Sequence, residues 1–470
     1  MSFIDDAQIT IQALHEYERE SMSQEVPVIH QRPMAELVTE LGLATWVRDG
    51  GLHGRKLAQF LDTYLSAATR LHHPGYLAHQ VAIPHYAGAL GSLIDGFTNN
   101  AMAIYEMGPA AASIEYFMVN WLLGKVGWQA APLPGYNHGT ELSGGGVLTH
   151  GGSLANLTAL TAARSRLVPQ VWQDGNPDDL ALLAPQGAHY SIARAAGILG
   201  IGSRAVYELE VDGEGKVIPE RLAAAHQRLQ DDGKRAVALV ANACSTAVGI
   251  YDPLDEIADF CRERDLWFHI DGAHGASALL SQTHRKLLRG VEKADSLVWD
   301  AHKMVRTPTV CAAVLVRDHR ALDAAFQQEA SYIFHAKEQP GFDFIQRTVE
   351  CTKAGLGLRL FLTLAALGEK RMEAYIDRQF AVTLAAYEYL QTLPDIDCPV
   401  KPQANILCFR LQGDDALQIR VRDQLIAAGH FYPSTTSFAG RRYLRAVFMN
   451  PQTSLEHIKQ LIAEIRGLAA

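Results

Sequence analysis

The stretch GVLTHGGSLANLTALTAAR, residues 146–164, decides how the chain is read. A short run without regular polar alternation ends at a Gly-Gly pair, and a segment of helical period follows at once. The same unit recurs downstream: LALLAP (180–185) leads to YSIARAAGIL, RAVALVANA (235–243) to PLDEIADFCRER, and LWFHID (266–271) to GASALL. Strands of this kind, each followed by a helix, predict a mostly parallel sheet covered on both faces, and so an α/β fold. Ser153 before an apolar-periodic run, and Asp252-Pro253 before LDEIADF, are helix-start signals.

On the N-terminal side the texture is helical throughout, over Ala7 to Glu20, Met34 to Leu41 and Leu52 to Leu71. This predicts an all-helical arm over residues 1–85, ahead of a large domain at 86–350. On the C-terminal side the pattern loosens through QEASYIFHAKEQPGFDFIQRTVE (328–350), a candidate mobile loop. A helical stretch from Ala354 to Leu390 then leads to ANILCFRL, ALQIRVRDQLIAAG, RRYLRAVFMN and SLEHIKQLIAEI, so 351–470 reads as a linking helix with a small α+β domain.

The composition, 48% hydrophobic and 20% charged over 470 residues, is that of a globular chain with a large core. The net charge of −9 is spread along the chain, which leaves no nucleic-acid footprint and no polybasic membrane patch. The uncharged run from Val81 to Ile94 is broken by Pro84, Gly88 and Gly91 and is too short to span a bilayer. Six scattered cysteines with no C-x-x-C pair fit neither a disulfide framework nor a zinc site, and they predict a reducing, cytoplasmic home. The first twenty residues carry five acids and no apolar core, unlike a signal peptide.

Ligands of open α/β sheets bind beyond the carboxyl ends of the strands, so the strand ends are the places to look for chemistry. Gly151, Gly152 and Ser153 form either a phosphate seat at a helix start or a plain glycine turn. Asp271 closes an apolar strand, as a cap or as a buried acid in need of a partner. His189 opens a helix, as a packed residue or as a functional one. Ser245 and Thr246 follow RAVALVANA. The strand DSLVW runs into Asp300, His302 and Lys303, where the lysine is a snorkelling rim residue or an amine suited to Schiff-base chemistry. A phosphate seat, an acid for a cationic ring nitrogen, a flat imidazole and an amine for an aldehyde together match pyridoxal 5′-phosphate. The fingerprints of a dinucleotide site and of a P-loop are absent, and His302 beside Asp300 lacks further ligands at metal-binding spacing.

Eight blocks also resemble, in order, the group II pyridoxal-phosphate amino-acid decarboxylases, the family of glutamate, diaminobutyrate, cysteine sulfinate and aromatic amino-acid decarboxylases. They are HPGYLAHQ (73–80), NNAMAIYEMGP (99–109), the opening stretch (146–164), HYSIARAAGILGIG (189–202), STAVGIYDPLDEIADFC (245–261), LWFHIDGAHG (266–275), ADSLVWDAHKM (294–304) and LRAVFMNPQTS (444–454). The resemblance implies a fold-type I, aminotransferase-like homodimer whose arm packs on the partner and whose active sites lie at the subunit interface. It implies that Lys303 holds the cofactor, Asp271 pairs with the pyridinium nitrogen, and His189 stacks on the ring with Thr246 nearby. Gly151, Gly152 and Ser153 would bind the phosphate, and Arg445 would receive a substrate carboxylate. Gln80, in the first block, would help to shape the substrate pocket, and His302 would stand among the catalytic groups. The reaction implied is decarboxylation of an L-amino acid to an amine and CO2 through an external aldimine and a quinonoid.

The chain departs from the family at Asp300, where many relatives have Asn, and at His274 in DGAHG. The loop has no tyrosine after Tyr332, and Phe342 and Phe344 stand where well-known members carry the proton-donating tyrosine. Such a change accompanies, in some relatives, oxidative decarboxylation-deamination to an aldehyde, so that reading stays open beside the amine. His335, His302 or a water is then the alternative acid. Other cofactor chemistry and a catalytically silent scaffold complete the readings.

Overall fold

The computed structural model describes residues 2–130, 142–326 and 341–469. The chain forms two compact units. One comprises the chain up to His79, Ala381–Lys401 and Asn405–Ala470; the other comprises Gln80–Phe380 with Pro402–Ala404.

The larger unit is built on a seven-stranded sheet: β1 (Gly145–Thr149), β2 (Leu180–Pro185), β3 (Val206–Leu209), β4 (Arg235–Asn242), β5 (Phe268–Asp271), β6 (Ser296–Asp300) and β7 (Ala312–Val316). Their order across the sheet is β1-β7-β6-β5-β4-β2-β3. β2, β4, β5 and β6 run parallel to one another, and β3 joins β2 in the same sense. β7 is antiparallel to both β6 and β1, which turns β1 the same way as β6. All five strands that end in candidate residues therefore finish on one edge, as the apolar strand-helix alternation predicts. Between β1 and β2 lies the helix Gly152–Leu167, buried along most of its length. Its residues Leu157, Leu160 and Ala163 pack on Leu182 and Val240 of the sheet.

In the smaller unit, helices Phe3–Ser23, Met34–Glu40, Leu43–Asp49 and Arg55–Ser66 precede a five-stranded sheet. There Tyr76–Leu77 runs parallel to Tyr432–Phe438, and the remaining pairings are antiparallel. The helix expected from Leu52 begins at Arg55, because Gly54 at its start adopts φ +55° and leaves the helical path. Ser153 falls inside its helix rather than at the cap, a place taken by Gly151. Asp252 does not cap the helix Leu254–Glu263 either; its carboxylate is buried and accepts from the backbone N–H groups of Asn242 (2.6 Å) and Val217 (2.9 Å). The helical stretch Leu356–Leu390 is two helices broken at Gly368, which has φ 71°.

Among the described residues, one ion pair in the larger unit is fully buried. Glu115 and Lys353, both at 0% side-chain exposure, meet at 2.5 Å, and the other carboxylate oxygen of Glu115 accepts from the Leu148 N–H of β1 at 3.0 Å. Burial pushes the Glu115 carboxyl up, and the Lys353 ammonium opposes that. Removing one member leaves the other buried and unpaired, which costs about 3–5 kcal/mol. Lys353→Met is therefore expected to lower stability by that amount in urea denaturation. Adding Glu115→Gln, which keeps an acceptor for Leu148, should restore most of the loss.

Candidate active site

Asp271 is the last residue of β5 and is only 7% exposed. Its Oδ2 accepts from Asn156 Nδ2 at 3.1 Å and its Oδ1 from the Ala273 N–H at 3.2 Å. The period-2 geometry of a strand has thus brought a carboxylate to the rim of the sheet with two donors in place. Lys303 follows the neighbouring strand β6, with its Nζ 3.0 Å from Asp300 Oδ2 and a fifth of its side chain exposed.

His189 stands beyond β2, two residues ahead of the helix-starting Ser191. Its Nδ1 lies 2.7 Å from Ser191 Oγ and 3.3 Å from the Ser191 backbone nitrogen. Burial lowers its pKa; the charges of Asp271 and Asp300 act against that lowering and that of Lys303 adds to it. The imidazole beyond β2 therefore feels the charges at the ends of two other strands, β5 and β6.

The turn after β1 supplies a cradle. Gly151 has φ +106°, a conformation that side chains rarely adopt. A Cβ on Gly152 would fall 2.7 Å from Asp300 Oδ2, so that position has no room for one. No side chain caps the helix start among the described residues, so its first N–H groups and the positive end of its dipole are open to an anion. Ser153 is half-buried in that first turn. Beside the cradle, the buried Asp300 Oδ1 has no hydrogen-bond partner among the described residues.

The remaining predicted residues are more dispersed. Thr246 is half-buried in the turn beyond β4, and Gln80, also half-buried, begins the larger unit. His302 is buried, with Nδ1 2.9 Å from the Cys311 carbonyl oxygen and Nε2 3.8 Å from Asp300 Oδ2. Arg445 belongs to the smaller unit, where its guanidinium donates to the Ala78 carbonyl at 3.3 Å. His274 is buried at the head of the 3₁₀ turn Gly275–Leu280. Phe344 is buried in an apolar cluster with Met102, Tyr116 and Val298, and Phe342 packs on Tyr116 and Phe344 at ring separations of 4.9 and 4.8 Å. Tyr332 and His335 lie outside the described residues.

Reading the sequence alone missed a buried polar chain behind Asp271. Trp267 Nε1 lies 2.8 Å from Ser296 Oγ, which lies 2.8 Å from His269 Nδ1. His269 Nε2 is 2.9 Å from Asn156 Oδ1, and Asn156 Nδ2 reaches both Asp271 and Ser191 Oγ, the latter at 2.9 Å. One signal was available: His269 precedes Asp271 by two residues and so shares its face of the strand. Among the described residues no group of three or more His, Cys, Asp or Glu side chains is placed to hold a metal ion. No described helix is long and apolar enough to cross a membrane.

Comparison with known proteins converges on one family. The family model of the pyridoxal-dependent decarboxylase conserved domain matches residues 59–412. The chain is 27% identical over 443 residues to the acidic amino acid decarboxylase GADL1 of Mus musculus, a match covering 90% of this chain and 78% of that protein. It is 26% identical over 435 residues to the L-2,4-diaminobutyrate decarboxylase of Acinetobacter baumannii, covering 87% and 83% respectively. The crystal structure of mouse CSAD superposes with a TM-score of 0.87 at 25% identity, covering 98% of both chains.

The buried histidine of the chain has a consequence for acid stability. Burial pulls the His269 pKa down from 6.5 to about 4, with Asp271 opposing. The unfolded chain therefore takes up a proton below about pH 6.5 that the folded chain refuses. Stability should be level above that pH and fall as pH drops toward 4, by on the order of 3 kcal/mol for this group. The difference in urea midpoint between wild type and His269→Gln, measured from pH 7.5 to 4.5, checks this, and the wild type should lose ground as pH falls. The contributions of His73 and Asp252, whose pKa values burial moves to about 4 and about 7, are common to both proteins and drop out.

Proposed function

The chain belongs to the pyridoxal-dependent decarboxylase family, and from that premise we propose that it converts an L-amino acid to the primary amine and CO2. It is a pyridoxal-phosphate-dependent carboxy-lyase of the group II amino-acid decarboxylases. The observation that carries the reading is that β2, β5 and β6, which lead to His189, Asp271 and Lys303, all end on the sheet edge where β1 leads into the glycine turn.

The residues fit pyridoxal 5′-phosphate. The helix start is uncapped, so its first N–H groups suit a phosphate. The buried acid Asp271 suits the ring nitrogen, the amine of Lys303 the aldehyde, and the imidazole of His189 the face of the ring. When bound, the cofactor supplies an aldehyde that condenses with amines and a ring that accepts an electron pair.

Lys303 is the amine assigned to hold the cofactor and to release it to the substrate. Asp300, 3.0 Å away, holds that amine in place before it reacts. Asp271, fixed by the Asn156 and Ala273 donors, is the acceptor assigned to the ring N–H. His189 presents a neutral, flat imidazole as the stacking partner, with Thr246 assigned nearby. Gly151, Gly152 and Ser153 are the phosphate seat. Arg445 and Gln80 are assigned to the substrate, Arg445 because a guanidinium matches a carboxylate in bidentate fashion. His302 is assigned to proton handling with Asp300.

A homodimer joined through the arm of residues 1–85, with active sites at the interface, is part of this reading. Phe3, Ile4, Ile11 and Leu14 on the first helix are all about half exposed, an apolar face suited to a second copy. The six cysteines are free, which supports a reducing cytoplasmic location. Acidic amino acids and diaminobutyrate are the first substrates to try, since those are what the named relatives act on. The aldehyde-forming reading is kept beside the amine because no tyrosine occurs between Gly341 and Lys353.

Incubation with pyridoxal phosphate, borohydride reduction and peptide mass spectrometry should place the label on Lys303. Lys303→Ala should lose the label and at least roughly a thousandfold in activity. With a substrate turning over, equimolar CO2 and amine without oxygen uptake is expected. Oxygen consumption with ammonia and peroxide would replace the amine with the aldehyde, and a label elsewhere would remove Lys303 from the assignment.

A further inference from the structure

We propose that Asn156 is a positioning residue, the junction of a one-way hydrogen-bond relay that fixes His189 as a neutral imidazole carrying its proton on Nε2. The proposal rests on the assignment of Asp271 and His189 to the reaction centre. Its evidence is the donor and acceptor chemistry of seven side chains.

The direction of the relay is set at both ends. An indole N–H can only donate, so Ser296 Oγ accepts from Trp267. The Ser296 proton is then free for His269 Nδ1, 2.8 Å away, which leaves the His269 proton on Nε2 facing Asn156 Oδ1. At the other end the Asp271 carboxylate can only accept, so the amide nitrogen of Asn156 must face it. The two requirements agree. With the opposite tautomer of His269, a bare Nε2 would face a carbonyl oxygen at 2.9 Å, and turning the amide over would set that oxygen against the Asp271 carboxylate.

The second N–H of the Asn156 amide completes the branch to His189. It donates to Ser191 Oγ at 2.9 Å, so the Ser191 proton turns to His189 Nδ1 at 2.7 Å. The backbone N–H of Ser191, also a donor only, points at the same nitrogen at 3.3 Å. Two donors on Nδ1 leave no place for a proton there. The ring then holds its hydrogen on Nε2, its one remaining donor. Asn156 does not touch the reacting atoms in this scheme; it ties the acceptor Asp271 to the imidazole through a single planar amide.

The proton positions are read in the cofactor-free protein labelled with ¹⁵N-histidine, by long-range ¹H–¹⁵N correlation near neutral pH. Neutral rings with the proton on Nε2 are expected for both His189 and His269. A proton on Nδ1 of either ring, or a charged His189, overturns the proposal. Asn156→Asp puts a carboxylate against His269 and removes the donor to Asp271 and Ser191. The titration of His269 should then move up by at least about one pH unit, and an unmoved titration overturns the junction role. In the holoenzyme, with the amino acid of a panel turned over fastest, Asn156→Asp should lower kcat by about 10–100-fold with KM changed less than about twofold. An unchanged kcat overturns it also. If the variant does not fold, the wild-type spectrum decides alone. That spectrum stands even if no amino acid is decarboxylated, a result that would overturn only the function proposed above.

Discussion

A carboxylate at the end of an apolar strand cannot be left without donors, and much of the candidate site follows from how Asp271 is satisfied. The end of β5 is buried, and an unpaired charge there would cost several kcal/mol or be neutralised. The chain answers with an amide from the helix Gly152–Leu167 and a backbone N–H from the turn that follows the strand. The amide must itself be held, and a histidine, a serine and a tryptophan hold it. The helix that carries Asn156 is the one that begins at the glycine cradle, so the same element orients Asp271 and offers its N-terminus to an anion.

The sheet makes this economy possible. Successive parallel strands deliver their last residues to one edge, about 4.8 Å apart from strand to strand. The antiparallel insertion of β7 keeps β1 in the same sense as β6. Sequence-distant groups thus meet without any long excursion of the chain: the amine after β6, the acid of β5 and the imidazole beyond β2. The Asp300 carboxylate belongs to both neighbourhoods, pairing with Lys303 and closing on Gly152.

Much of this was legible in the sequence, and the reason is local. Apolar runs ending in small or ionisable residues mark strand ends, and parallel topology then decides that those ends meet. Helix starts were less legible, since Asp252 carries the usual signal but satisfies two backbone N–H groups instead. The polar chain through Asn156 was not read, because Asn, Ser and Trp in buried elements carry no pattern of their own; only His269, in step with Asp271, gave a hint. Glu115 and Lys353 are 238 positions apart and nothing local announces their pairing. The same holds for Tyr76–Leu77, whose partner strand lies near the far end of the chain.

The Glu115–Lys353 pair has a thermal consequence. Hydration of separated charges becomes less favourable as temperature rises, while the gain per area from apolar burial levels off. The cost of keeping both groups from water therefore shrinks on warming as their attraction persists. Through Leu148 the pair fastens the strand that leads to the glycine turn. Relative to the apolar packing around it, that fastening is stronger in a warm cell than in a cold one.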